Sequence, residues 1–78
     1  MECIDKQIDN IKYKLSTQLA TYRQDNNLTQ REMADLCKTA QSTYSQIERG
    51  VYKKVTIDYL VRMNYLAKTG LKLITLAQ

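Results

Sequence analysis

The sequence predicts an all-α bundle of four main helices closed by a short C-terminal β-strand, and three observations predict it. Apolar residues recur at every third or fourth position along most of the chain. Start and stop signals at Asn26 and Asn27, Thr29, Thr56 and Gly70 cut that periodicity into pieces of helical length. Beyond Gly70, the stretch LKLITLAQ is too short for a helix with a hydrophobic stripe, and its branched residues read as a strand.

Composition narrows the class. A chain of 78 residues is a single domain, 1–78, near the lower limit for a self-sufficient core, so dimerisation would ease the burial problem. The formal charge of +4 and pI of about 9.2 favour a polyanionic partner without requiring one. A hydrophobic content of 44% argues against disorder. No apolar run approaches the ~20 residues of a membrane span. The opening MECIDKQIDN has neither a basic nor an apolar secretory region, so the expected location is the cytoplasm, with no membrane partner. Cys3 and Cys37 are too few for a disulfide framework, and Cys37 reads as a buried reduced thiol. With no histidine and no clustered cysteines, neither a typical zinc site nor a His-based catalytic dyad can be assembled. The expectation is no metal, no cofactor and no enzymatic activity.

The first helix is expected from Ile4 to about Gln24, where Ile4, Ile8, Ile11, Leu15, Leu19 and Tyr22 form an amphipathic stripe. Its first two turns are either a longer core helix or a dimer or partner contact. Asn26 and Asn27 suit the left-handed residue that stops it. The second helix begins at Thr29, whose hydroxyl with Glu32 makes a capping box, and Met33, Ala34 and Cys37 form its inner face. After an interruption at Lys38 to Ala40, Tyr44 and Ile47 restore helical spacing in a third helix from about Gln41 to Arg49. Two short helices joined so closely make a helix-turn-helix, residues 29–49, whose second helix is exposed enough to enter a DNA major groove. Thr56 caps a fourth helix carrying Ile57, Leu60, Val61, Tyr65 and Leu66, with Asp58, Arg62, Asn64 and Lys68 outward, and Gly70 ends it. The strand, about 71–77, has Leu71, Leu73, Ile74 and Leu76 apolar on both faces and no partner strand in the chain. An antiparallel pair across a two-fold axis would bury those residues at a homodimer interface. The competing reading is a short fifth helix.

The run L-T-Q-x-E-M-A-x-L at 28–36, followed by S-T-Y-S-Q-I-E-R-G at 42–50, resembles the Xre and lambdoid-repressor helix-turn-helix family. The resemblance implies a lambda-repressor-like bundle. It also implies an ion pair between Arg23 and Glu48, tying the first helix to the end of the third. Two positions depart from the family pattern. Lys38 stands where Gly is usual, so the turn is mildly strained there or differs; Ala40 stands where a Ser usually caps the third helix, leaving Thr39 to cap one residue early. The order of a fourth helix and then a terminal strand resembles the HipB-type antitoxins, in which that strand forms an intersubunit lid.

The outward side chains of the third helix are Gln41, Ser42, Ser45 and Gln46, hydrogen-bonding and uncharged, which suits base readout more than bulk attraction. Gln41, Ser42 and Gln46 match base-contacting positions of the phage repressors by resemblance, with Thr43 beside them. Phosphate contacts are expected from Thr29, Gln30, Arg31, Lys38, Tyr52, Lys53 and Lys54. The expected function is a dimeric, sequence-specific transcription repressor on a palindromic operator in double-stranded DNA. By resemblance it represses its own operon as an antitoxin, with a cognate toxin as second partner. The rivals are a phage regulator, a restriction-modification controller, or a protein interaction module that does not bind DNA.

Overall fold

Three residues with left-handed backbone, Asn27 (φ 56°), Lys38 (φ 56°) and Gly50 (φ 86°), set the turns of the chain in this computed structural model. The structure describes residues 4–52 and 54–77, the last seven of these by backbone only. The four helices are α1 (Ile4–Asp25), α2 (Gln30–Leu36), α3 (Gln41–Glu48) and α4 (Ile57–Ala77). Each of the first three ends in the same way. The N–H beyond the left-handed residue reaches back five positions, Leu28 to Arg23 O at 3.0 Å, Thr39 to Ala34 O at 3.0 Å and Val51 to Gln46 O at 2.8 Å. The left-handed residue itself reaches back three, and the two bonds together satisfy carbonyls that the helix end would leave bare.

Gly50 adopts its backbone without penalty, whereas Lys38 carries a Cβ into a region that disfavours it by about 1–2 kcal/mol. The expected Lys38 turn therefore forms, with the strain retained. Lys38→Gly should raise thermal stability by up to about 1 kcal/mol, because relief of strain outweighs the added freedom of the unfolded chain. A lower melting temperature in the variant would contradict this.

The core lies where α2 and α3 meet α1 and α4. Leu19, Met33, Ala34, Cys37, Tyr44, Ile47, Leu60, Met63 and Ala67 are buried, with Leu15, Tyr22, Leu28, Leu36, Tyr52 and Val55 packed around them. Cys37 is a buried free thiol whose Sγ donates to Met63 O at 3.5 Å, and burial pushes it up to about 12. It is unreactive at neutral pH. Cys3 lies outside the described residues.

The inner faces of α1 and α4 differ from the expected ones. Lys12, Ser16 and Leu19 turn inward on α1 with Leu15 and Tyr22 packed beside them, while Ile4 is 71% and Ile11 44% exposed and Ile8 is half-buried, so the first turns add little to the core. On α4, Met63, Asn64 and Ala67 are buried with Leu60, whereas Val61 and Tyr65 are 50% and 68% exposed. Asn64, expected outside, is held inside because its Nδ2 donates to Leu60 O at 2.9 Å and to Leu15 O on α1 at 3.4 Å. A buried amide so paired avoids most of its desolvation penalty.

The terminal strand is corrected. Residues 71–77 continue α4 as helix, and among the described residues there is no strand to pair across a two-fold axis. Judged alone the segment looked strand-like; as an extension of an existing helix it needs no nucleation, and its leucines, lysine and alanine are good helix formers. Gly70 does not stop the helix. A Cβ there would stand 2.7 Å from Leu36 Cδ2, so the glycine instead lets α4 pass close over α2. The side chains of Leu71, Leu73, Ile74 and Leu76 lie outside the described residues.

Candidate nucleic-acid interface

The α3 helix is amphipathic in a way that leaves its uncharged side outward. Tyr44 and Ile47 are fully buried, anchoring the helix to the core. Gln41, Ser42 and Gln46 are exposed, and Thr43 and Ser45 half-buried. The eight-residue rod is about 10–12 Å across with its side chains, which matches the ~12 Å width of a B-DNA major groove. Amides and hydroxyls on such a rod offer donors and acceptors at the spacing of base edges, without the cost of desolvating a charge.

What presents the rod is α2 and its turn. Thr29 caps α2: its Oγ1 accepts from the Glu32 N–H at 3.1 Å, and its own N–H donates to Glu32 Oε1 at 2.9 Å. The α3 helix begins at Ala40, which has no side-chain cap. Thr39 does not cap it, because its hydroxyl is engaged with the Tyr59 hydroxyl at 2.6 Å, tying the turn to α4. Thr56 caps α4 through the Tyr59 N–H at 3.1 Å. Two short helices, a tight turn and an outward second helix are now in place. A sequence profile of the helix-turn-helix family matches residues 19–64, more than half of the chain.

The chain belongs to the Xre-like helix-turn-helix family. That family is a DNA-binding domain type and not an enzyme type. No curated protein and no solved structure gives a significant match. The match takes in the last two turns of α1, the whole helix-turn-helix and the first two turns of α4; residues 4–18 and 65–77 lie outside it. Among the described residues, no helix is long and apolar enough to cross a membrane.

Around the helix-turn-helix, the residues expected at phosphates are placed unequally. Arg31, Lys38 and Lys54 are exposed, Gln30 and Tyr52 half-buried, and Thr29 exposed though committed to its capping box. Lys53 lies outside the described residues. Thr43 and Gln46 share a shallow groove with Lys54, Val55, Thr56 and Tyr59, so the outer face of α3 runs on to the start of α4. Tyr59 was not among the expected site residues; its place three residues after the Thr56 cap was the signal for it. Lys12 was also missed. It is 9% exposed, and its Nζ donates to Tyr52 O at 3.4 Å, holding α1 against the loop after α3. Nothing in its spacing separated it from the solvated lysines of α1.

Behind α3, Arg23 and Glu48 form a bidentate pair. Arg23 Nε donates to Glu48 Oε2 at 2.6 Å and Nη2 to Oε1 at 3.1 Å, while Nη1 donates to Leu28 O at 3.0 Å. The side chains are 18% and 10% exposed, so the pair is more than a surface contact. Burial alone would raise the Glu48 carboxyl. Hydrogen bonds from Arg23 first and from Gln30 outweigh it, and the group sits below the ordinary carboxylate range. The same carboxylate holds the Arg23 guanidinium above its usual value. Tyr44 is pushed up by burial first and by Glu48 second. Its hydroxyl is buried and meets no hydrogen-bond partner of acceptable geometry.

Proposed function

We propose that this protein is a sequence-specific transcription regulator in which α3 reads bases in the major groove, acting as a homodimeric repressor on a palindromic operator. The observation that carries the reading is the exposed, uncharged face of Gln41, Ser42 and Gln46 on a helix anchored by two fully buried residues. Thr43 and Ser45 flank that face. Arg31, Lys38, Lys54 and the start of α2 supply phosphate contacts, with Lys53 and Tyr52 as further candidates. A homodimer places two copies of α3 about 34 Å apart on one side of the duplex. Its support is the small core together with exposed Ile4, Ile11, Tyr13, Val61 and Tyr65 on α1 and α4. A cytoplasmic location follows from such a role.

The antitoxin role, with autoregulation of its operon and a toxin partner, drew on a terminal strand. With that segment helical, it loses the feature that pointed to it.

A selection of bound duplexes from a random pool, followed by a gel shift on the enriched sequence, tests the reading. Binding that survives excess nonspecific competitor is expected; binding to any duplex alike, lost with modest salt, would leave only a basic surface. Once a site is known, Gln41→Ala should weaken binding to it by about 1–3 kcal/mol and relax the preference at one base pair. An unchanged preference would remove Gln41 from the interface.

A further inference from the structure

We propose that Glu48 is a positioning residue for DNA binding: its carboxylate orients the side-chain amide of Gln30 so that the amide presents an N–H to one backbone phosphate. The inference rests on the reading of Gln30 as a phosphate contact.

Three helix ends converge on this carboxylate. Arg23 comes from the last turn of α1, Gln30 is the first residue of α2, and Glu48 is the last residue of α3. Glu48 Oε1 accepts from Arg23 Nη2 and from Gln30 Nε2, each at 3.1 Å, while Oε2 is taken by Arg23 Nε. Arg23 therefore fixes the carboxylate, and the carboxylate fixes the amide. An ionised carboxyl can only accept, so Gln30 has to turn its nitrogen, and not its oxygen, toward Glu48. The choice between the two amide orientations is thus made by chemistry. One N–H of Nε2 is spent on Glu48, and the other has no partner among the described residues.

Gln30 is half-buried, so the amide borders solvent instead of being sealed into the core. A free glutamine at a helix start would sample several rotamers and both amide orientations. Pinned to Glu48, it meets a phosphate with that freedom already removed. Because Glu48 also ends α3, the pin fixes the distance between the phosphate contact and the base-reading face. A carboxamide at position 48 could not replace it. One of its two ends would be a donor facing Arg23 Nε, or facing both Arg23 Nη2 and Gln30 Nε2.

Glu48→Gln, Gln30→Ala and the double variant test this, each first shown to be folded by its melting transition. Without DNA, the Gln30 side-chain amide resonances should shift on acidification with the midpoint of the Glu48 carboxyl, and lose that response in Glu48→Gln. With a duplex selected for tight binding, Gln30→Ala and Glu48→Gln should each weaken affinity by a similar factor, about tenfold. The double variant should be no weaker than Gln30→Ala alone. Phosphate-ethylation interference should vanish at the same single phosphate in both single variants, while base preference at the Gln41 position is kept. A Gln30 amide indifferent to Glu48, factors that multiply, or an interference pattern unchanged in Glu48→Gln would overturn the proposal. Parent protein that prefers no duplex over scrambled DNA would instead reject the DNA-binding reading itself, and this proposal with it.

Discussion

Tyr44→Ala is expected to remove about 3–5 kcal/mol of stability, the range for emptying an aromatic site in a close-packed core. In a domain of this size that lowers the melting temperature by roughly 15 °C or more, and takes away most of a marginal stability. The residue is fully buried and anchors the face of α3 opposite the bases, so loss of packing there also releases the reading helix. Tyr44→Phe separates packing from polarity. Its hydroxyl is buried without a hydrogen-bond partner, so removing it should leave stability within about 1 kcal/mol of the parent or raise it. Chemical denaturation of both variants checks this pair of outcomes. A phenylalanine variant as unstable as the alanine one would mean that the hydroxyl makes an essential bond.

Glu48→Ala is expected to lose about 3 kcal/mol at neutral pH, because the Arg23 guanidinium would remain partly buried with its counter-charge gone. Replacement also leaves the Gln30 amide and the Tyr44 hydroxyl without the carboxylate they adjoin. The loss should depend on pH with a fixed sign. The folded-state carboxyl is held below its ordinary value, so between the two values the unfolded chain binds more protons than the folded one. The pair's contribution is therefore complete above the ordinary glutamate value of about 4.3 and is lost as pH falls through the lower folded value. Urea denaturation from pH 7 down to strongly acid solution should show parent and Glu48→Ala curves converging at the acid end. Curves that stay parallel throughout would mean that Glu48 is not charged in the folded protein.

Much of the helix-turn-helix was legible because its local signals agree with one another. The Thr29 and Glu32 pair, the inward Met33, Ala34, Tyr44 and Ile47, and the left-handed stop at Asn27 all point to the same pair of helices, although Lys38 takes a left-handed turn where a lysine does not announce one. The two long helices were less legible. On α1, Leu15, Leu19 and Tyr22 of the expected stripe do meet the core, but Lys12 and Ser16 take inward places beside them while Ile4 and Ile11 stay exposed, and only tertiary packing makes that choice. On α4, Gly70 carried two meanings, helix stop and close contact, and the approach of Leu36 that decides between them comes from a residue 34 positions away. The site divides in the same way. The outward identity of Gln41, Ser42 and Gln46 follows from local periodicity, whereas the bonds from Gln30 to Glu48 and from Thr39 to Tyr59 depend on how separate helices meet.

In the proposed complex α3 enters a DNA groove with Gln41, Ser42 and Gln46 leading. The most direct measurement of that entry is a backbone amide titration of the protein with a duplex selected for tight binding, compared with the same duplex scrambled. The selected duplex should shift residues 29–31 and 40–46 and the start of α4 together, and the scrambled duplex should leave 41–46 nearly unmoved. Perturbation confined to the exposed turns at the start of α1, or identical shifts with both duplexes, would contradict it.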